Sequence, residues 1–336
     1  MHLFFLVLLA LYLISLFRPV SAFNKSLSKD TTLYLKGIFS LLIITCHMAS
    51  NTEISFFSYF KPWGAPIVSL FFFISGYGLM SSYLSKGQRY LDGFLKKRVW
   101  KILLPYLIIT FLYIALNAVD KERFSWTILS DFIVKGIPPL PYSWFVISII
   151  VLYLFFYWSF SPRRLVVSQK LFLCLLLSCL YILIAILIGY DRCWWVSTLG
   201  FVTGLFYRYY ELYLVRIFRS KIYRLLFMPI CSLAIYLLSG SPVEFVLSVA
   251  YVLIPSLVIV LINYLKFRKN LLLSFFGDIS YEIYLCQGVC FVLLRGHTIY
   301  IASDYVYAFM VYFVTVFLAY SLHLFILKND ENITNR

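Results

Sequence analysis

Charged residues are scarce in this sequence. Only 13% of its 336 residues are Asp, Glu, Lys or Arg, whereas 62% are hydrophobic and the mean hydropathy is +0.90. A soluble globular domain carries about 25% charged residues, so that class is excluded. Because a membrane-crossing helix needs roughly 20 apolar residues, the length predicts an all-α, polytopic membrane helical bundle whose functional residues lie inside it or at its rims.

Signatures of several other protein classes are also missing. The seven cysteines form no Cys-x-x-Cys pair and no Cys/His ligand spacing, so neither a disulfide framework nor a zinc site is expected. The sequence has no Gly-rich phosphate loop, no low-complexity linker and no repeat with a period of about 20 to 50 residues. We therefore expect one compact membrane domain without a metal.

Positive charge is abundant, but its distribution indicates topology. The net charge of +15 would suit a nucleic-acid partner, yet the 29 lysines and arginines fall in short clusters between apolar runs. The clusters lie at 18–36, 86–101, 163–170, 208–224, 266–269 and 328–336. The alternate connections hold only Lys61, Lys121, Arg123, Lys135, Arg192 and Arg295. By the positive-inside rule the clusters are cytoplasmic, so the sequence predicts a lipid bilayer as partner and no nucleic acid.

This alternation predicts about ten core transmembrane helices and one extra N-terminal helix, with the C-terminus in the cytoplasm. The approximate spans are 3–17, 33–50, 64–84, 102–119, 143–160, 171–189, 194–210, 225–239, 245–265, 271–294 and 305–327. The first could also be a signal-peptide core, but its cations follow the apolar run instead of preceding it, which favours a retained helix. The predicted domains are 1–32, the main membrane domain 33–327 and a cytoplasmic tail 328–336.

Lys36 and His47 are the most informative polar residues inside a predicted span. They are eleven positions apart, which on a helix is a rotation of about 1,100°, or three turns and roughly 20°, and a rise of about 16 Å. They therefore share one helix face, with the lysine near the cytoplasm and the imidazole deep in the bundle. Spacing alone also fits a snorkelling lysine and a hydrogen-bonded core histidine.

The Lys36-x10-His47 pattern resembles the Arg/Lys-x10-His signature of the integral-membrane acyltransferase 3 family. Four further segments are similar to motifs of that family and follow in the same order. They are Ser69–Leu79 with its Phe-Phe-x-x-Ser-Gly-Tyr core, the basic block Phe94–Tyr106, Tyr142–Phe145, and Gly277–Leu285. The resemblance covers residues 33 to about 290, and the sidedness of every motif is consistent with the charge pattern.

The resemblance implies a membrane O-acyltransferase of the cell membrane. Such an enzyme would transfer an acetyl or other acyl group from cytoplasmic acetyl-CoA, as co-substrate, to a hydroxyl of a cell-surface polysaccharide or lipid-linked glycan precursor. His47 would be the catalytic general base. The cations Lys36, Lys97, Arg98 and Lys101 would bind the phosphates of the coenzyme.

Four further residues are candidates for substrate contacts or for orienting the base. Ser75, Trp144 and Tyr284 could stabilise the oxyanion that acyl transfer requires, and the sequence does not choose among them. Glu282 could orient His47 or pair with an inner cation. The alternatives are an interfacial anchor for Trp144 and a structural ion pair for Glu282.

The sequence departs from the family pattern in two respects. Lysine stands at 36 and 101, where arginine is usual, and it binds phosphate as a point charge without the bidentate fork. In the last motif Gln287 stands where a histidine is frequent. A proton-donor role is thereby lost at that position, although a hydrogen-bonding role is still available to Gln287.

Two other classes of polytopic protein fit the size and charge, a glycan transporter or flippase and a glycan polymerase. A proton-coupled carrier is expected to show several intramembrane acids and paired broken helices, whereas Glu282 is essentially the one deep acid here. A polymerase normally has large outer loops, and the longest outer connection is about 120–142. The sequence therefore favours the acyltransferase.

Overall fold

The computed structural model describes residues 27–121, 127–220, 244–262 and 270–334, together with Leu9, Ala10, Leu13, Leu226, Ile230, Leu233 and Ala234. The predicted spans 3–17 and 225–239 and the cationic segment 266–269 fall almost entirely outside these described residues. The extra N-terminal helix and the domain boundaries at 33 and 327 therefore stay predictions.

Within the described ranges the chain is all-helical, and Arg295 and Tyr300 form one isolated antiparallel bridge without any strand. The α-helices are α1 Lys29–Met48, α2 Ser55–Ser58, α3 Gly64–Lys86, α4 Trp100–Asp120, α5 Ile128–Lys135, α6 Trp144–Phe160, α7 Val167–Leu187, α8 Leu199–Arg219, α9 Glu244–Ile262, α10 Leu271–Asp278, α11 Ser280–Leu293 and α12 Asp304–Thr334. A π-helical turn at Leu95–Val99 precedes α4.

The helices have the length and composition of a multi-pass membrane protein. Five segments are long and apolar enough to cross a membrane. They are Lys29–Met48, Ser55–Leu91, Leu95–Asp120, Val167–Leu187 and Asp304–Lys328. Shorter apolar helices occur at Trp144–Phe160, Tyr251–Val260 and Ser280–Leu293. The all-helical membrane fold is confirmed, while the number of about ten core helices stays a prediction.

Two helices differ from the predicted spans. The predicted span 271–294 is broken at Ile279 into α10 and α11. At the break the Ser280 hydroxyl donates a hydrogen bond of 2.8 Å to the Gly277 carbonyl oxygen. The span 194–210 begins later, at Leu199, because Arg192–Trp194 forms a 3-10 turn capped by the Asp191 side chain. Local side-chain capping accounts for both differences, and hydropathy does not report it.

The described chain divides into two compact units. The described residues of the first unit lie within Met1–Thr32, Ala65–Lys97 and Ser148–Lys269. Those of the second unit lie within Leu33–Gly64, Arg98–Ile147 and Asn270–Arg336. In the first unit, α8 packs against α7 and α9. In the second unit, α11 packs along α12 and against α4.

Close helix packing in the second unit places Lys36 beside α10. A Cβ atom added to Gly277 would lie 2.2 Å from the Leu33 carbonyl oxygen, and one added to Gly37 would lie 2.6 Å from the Leu273 carbonyl oxygen. Glycine is therefore required at both positions, because only the small residue lets the two backbones approach this closely. The half of α1 that carries Lys36 is thus fixed against α10.

Candidate functional site

His47 lies in the last turn of α1, with its side chain partly buried. Its Nδ1 atom is 3.3 Å from Oε1 of Gln287 on α11. With Oε1 as the acceptor, Nδ1 carries the proton and Nε2 keeps its lone pair, which is the tautomer that a general base needs. In this tautomer Nε2 is the basic nitrogen of the ring.

Two aromatic rings hold the imidazole from other directions. Tyr142 stacks on it with ring centroids 4.2 Å apart and an interplanar angle of 18°. Phe291 meets it edge-on with centroids 6.2 Å apart. The ring of His47 is therefore held by one hydrogen bond and two ring contacts, a degree of fixation that suits a pre-organised catalytic group.

Tyr142 itself has a strained backbone. Its φ of 62° makes it the one non-glycine residue with a positive φ in the described part of the chain. Helix α11 supports this conformation, because the Tyr284 hydroxyl donates to the Tyr142 carbonyl oxygen and a Cβ on Gly288 would lie 2.4 Å from the Pro141 carbonyl oxygen. Strain of this kind persists where surrounding structure enforces it, often at functional sites.

An ionic network fixes the chain just beyond His47. Asn51 donates through Nδ2 to the His47 carbonyl oxygen at 2.7 Å, and Arg295 donates through Nη1 to the Asn51 carbonyl oxygen at 2.6 Å. Arg295 also forms an ion pair with Asp304 and lies 4.0 Å above the ring centre of Tyr307. Sequence reasoning counted Arg295 only as an outer cation, and no local pattern marks this role.

Glu282 is buried on α11, and its partner is His323 of α12. The Glu282 carboxylate and the His323 Nδ1 atom are 2.9 Å apart. The sequence suggests His47 or an inner cation as the partner of Glu282. In the structure Glu282 contacts His323, between α11 and α12, while Gln287 lies beside His47.

The candidate phosphate-binding cations of the second unit gather near the start of α4. Lys36 is partly buried and interacts electrostatically with Asp278 and Arg98. Arg98 and Lys101 are exposed. Arg98 belongs to the π-helical turn, a feature that occurs frequently at functional sites. Lys36, Arg98 and Asp278 form a mixed-charge group eleven positions along α1 from His47, and Lys101 follows Arg98 in the first turn of α4.

Lys97 and Ser75 belong to the first unit. Lys97 is exposed, and its Nζ atom donates to the Asp92 carbonyl oxygen at 3.0 Å. Ser75 is partly buried in α3, two residues before Tyr77. Tyr77 donates to the buried carboxylate of Glu211 at 2.9 Å, and Arg208 pairs with the same carboxylate at 2.8 Å. This buried charged cluster escaped the sequence analysis because Glu211 lies among polar and aromatic neighbours.

Trp144 and Tyr284 lie in the second unit with His47. Trp144 begins α6 and its side chain is partly buried. The Tyr284 hydroxyl is engaged with the Tyr142 backbone, so this residue holds the loop beside His47 in place. No group of three His, Cys, Asp or Glu side chains able to hold a metal ion occurs in the part of the chain that the structure describes.

Comparison with protein families gives one match. Residues 33–324 match the family model for the acyltransferase 3 group, described as an acyltransferase domain. The match includes the candidate site from Lys36 to His323. No curated protein and no solved structure matches the chain.

Proposed function

The chain belongs to the acyltransferase 3 family, and we propose that it is an O-acyltransferase that moves an acetyl group from cytoplasmic acetyl-CoA to a hydroxyl of a cell-surface polysaccharide or lipid-linked glycan precursor. The observation that carries the proposal is the contact between His47 and Gln287 at 3.3 Å. With Gln287 Oε1 as the acceptor of an Nδ1 proton, this contact supports the tautomer in which Nε2 is basic. We further propose the cell membrane as the location, with the C-terminus in the cytoplasm.

The proposed reaction is a direct transfer with His47 as general base. Nε2 of His47 removes the proton of the acceptor hydroxyl while the hydroxyl oxygen attacks the thioester carbonyl carbon. The new C–O bond forms, and the C–S bond breaks when the tetrahedral intermediate collapses. The coenzyme leaves as a thiolate and takes the proton from the imidazolium, so the products are the O-acyl glycan and free coenzyme A.

The donor is proposed to bind at the cationic end of α1. Lys36, Arg98 and Lys101 of the second unit would neutralise the phosphates of the coenzyme. Along the helix, His47 lies about 16 Å from Lys36, a distance comparable to the reach of the pantetheine arm. A thioester anchored by its phosphates near Lys36 could therefore extend to the imidazole.

The oxyanion of the intermediate needs a hydrogen-bond donor. The Tyr284 hydroxyl already donates to the Tyr142 carbonyl oxygen, so its proton is engaged. Trp144 follows Tyr142 by two positions and lies in the same unit as His47. We propose the indole N–H of Trp144 for this role, and Trp144→Phe, which removes only that donor, should lower the maximum rate by about 10²-fold.

A comparison of cells tests the proposed function. The surface glycan is analysed by mass spectrometry in cells that lack the protein and in cells that express wild type, His47→Ala or His297→Ala. His297 is an exposed histidine of another loop and is the matched control. We expect wild type and His297→Ala to restore the O-acyl groups, and His47→Ala to leave the glycan unmodified.

Two results would contradict the proposal. If His47→Ala restores every acyl group, His47 is not the base. If loss of the protein changes the length or export of the glycan while its acylation stays intact, the protein is a transporter or polymerase instead.

A further inference from the structure

A cavity of about 400 Å³ opens in the second unit between α4, α5 and the segment 137–142. Its volume falls within the range of about 300 to 1,000 Å³ that is typical of small-molecule sites. Aromatic and proline side chains form much of the wall, and a few polar groups converge on it. This combination of an apolar wall with few polar groups is the usual composition of a ligand site.

Tyr142 connects this cavity to the proposed base. The residue lines the cavity, and its ring stacks on the imidazole of His47 with centroids 4.2 Å apart. A molecule in the cavity therefore lies next to the residue that also contacts the imidazole. The backbone of Tyr142, with its positive φ, places this residue at the border of both the cavity and His47.

The polar groups of the wall have hydrogen-bonding capacity for a ligand. Oδ1 of Asn117 is buried and has no hydrogen-bond partner among the described residues, an arrangement that is costly unless a ligand or water supplies a donor. The pKa of the Asp131 carboxyl is lowered from its ordinary value by hydrogen bonds from Lys135 and then Thr127. Asp131 is therefore a carboxylate at neutral pH and accepts hydroxyl donors.

We propose that this cavity binds the sugar unit of the acceptor that carries the hydroxyl to be acylated. The inference rests on the proposed function. A pyranose has apolar C–H faces, which match the negative faces of the Tyr113 and Tyr142 rings. Its hydroxyls match the acceptor oxygens of Asn117 and Asp131. A hydrocarbon chain in the same place would leave the Asn117 oxygen without a donor.

The first test separates acceptor binding from donor binding. The full chain is reconstituted in nanodiscs and assayed with radiolabelled acetyl-CoA and polysaccharide isolated from cells that lack the protein. Tyr113→Leu removes one stacking ring, and Phe111→Leu, on the exposed face of the same helix, is the matched control. We expect the polysaccharide concentration at half-maximal rate to rise roughly tenfold for Tyr113→Leu only, while the KM for acetyl-CoA changes less than about twofold.

The cavity assignment is overturned if both variants show the same change, if neither does, or if the KM for acetyl-CoA is the parameter that rises. Tyr113→Phe keeps the ring, so the polysaccharide concentration at half-maximal rate should stay well below that of Tyr113→Leu. A loss of activity in Tyr113→Phe equal to that in Tyr113→Leu would also contradict the stacking role.

The second test does not depend on turnover. Ala118 lines the cavity, whereas Ala115 on the same helix is exposed and lies outside it. Cysteine introduced by Ala118→Cys is labelled with a water-soluble thiol reagent, and the isolated polysaccharide should slow its labelling without affecting Ala115→Cys. Protection without any ester formation would refute the proposed function and support the cavity. Ester formation without protection would refute the cavity and leave the function intact.

Discussion

Replacing Gln287 by leucine should lower the catalytic rate without lowering stability. The side chain of Gln287 is fully buried, and its Oε1 atom is 3.3 Å from Nδ1 of His47. Its Nε2 atom has no hydrogen-bond partner within the described residues. Leucine has a similar size, so Gln287→Leu removes the contact with the imidazole and the unpaired amide nitrogen together.

The expected loss of rate follows from how the hydrogen bond changes during the reaction. In the ground state it joins neutral groups and contributes about 0.5 to 1.5 kcal/mol, whereas it contributes about 1.5 to 3 kcal/mol once the imidazole is charged. Only the difference, about 1 to 1.5 kcal/mol, lowers the barrier. Since about 1.4 kcal/mol is a factor of ten in rate, the maximum rate should fall about five- to twelvefold.

Stability should change little. The variant removes a buried unpaired amide nitrogen, which costs about 1 to 3 kcal/mol, but it leaves the Nδ1 proton of His47 without its acceptor at a similar cost. These two changes offset each other, and the lost hydrogen bond contributes about 0.5 to 1.5 kcal/mol, against which the buried leucine gains apolar contact. The Tm of Gln287→Leu should therefore stay close to that of wild type.

The assay measures kcat, both KM values and thermal unfolding of the purified chain. Gln287→Glu keeps an oxygen acceptor at the same position and should recover part of the rate. An unchanged kcat in a folded Gln287→Leu variant would refute the orienting role. A fall of kcat together with Tm would show instead that Gln287 supports packing.

Three further substitutions test other parts of the site. Gly288→Ala puts a methyl group 2.4 Å from the Pro141 carbonyl oxygen. It should lower both Tm and kcat and reduce the free energy of unfolding by about 1 to 3 kcal/mol. Wild-type values of Tm and kcat would contradict the close packing. Glu282→Gln weakens the contact with His323 and should lower Tm with kcat retained, whereas a loss of kcat alone would place Glu282 in catalysis. Arg98→Gln should raise the KM for acetyl-CoA several-fold at low salt and less at high salt, and a rise confined to the acceptor KM would contradict the donor site.

The sequence predicted the features that depend on chain-local physics. Hydropathy identifies most of the described helices, because lipid requires continuous apolar runs with satisfied backbones. The helical repeat placed Lys36 and His47 on one helix. The break at Ile279 was not predicted, because hydropathy does not report side-chain bonds to the backbone such as that from Ser280 to Gly277.

Pairings between distant parts of the chain could not be predicted. Gln287 and His47 are 240 positions apart, and Arg295 and Asn51 are 244 positions apart. Neither separation leaves a periodic signal. The contact between Glu282 and His323 joins positions that are 41 residues apart, and it likewise leaves no local pattern.

The geometry of α11 explains why a glutamine, and not the deep acid Glu282, lies beside His47. Residues that contact His47 or the Tyr142 segment follow the spacing i, i+3, i+4, i+7, which is one helix face. They are Tyr284, Gln287, Gly288 and Phe291. Five positions separate Glu282 from Gln287, a rotation of about 140°, so Glu282 projects from another face and reaches His323. A neutral amide beside the base also avoids placing a second ionised group in an apolar bundle, where an unpaired charge is costly.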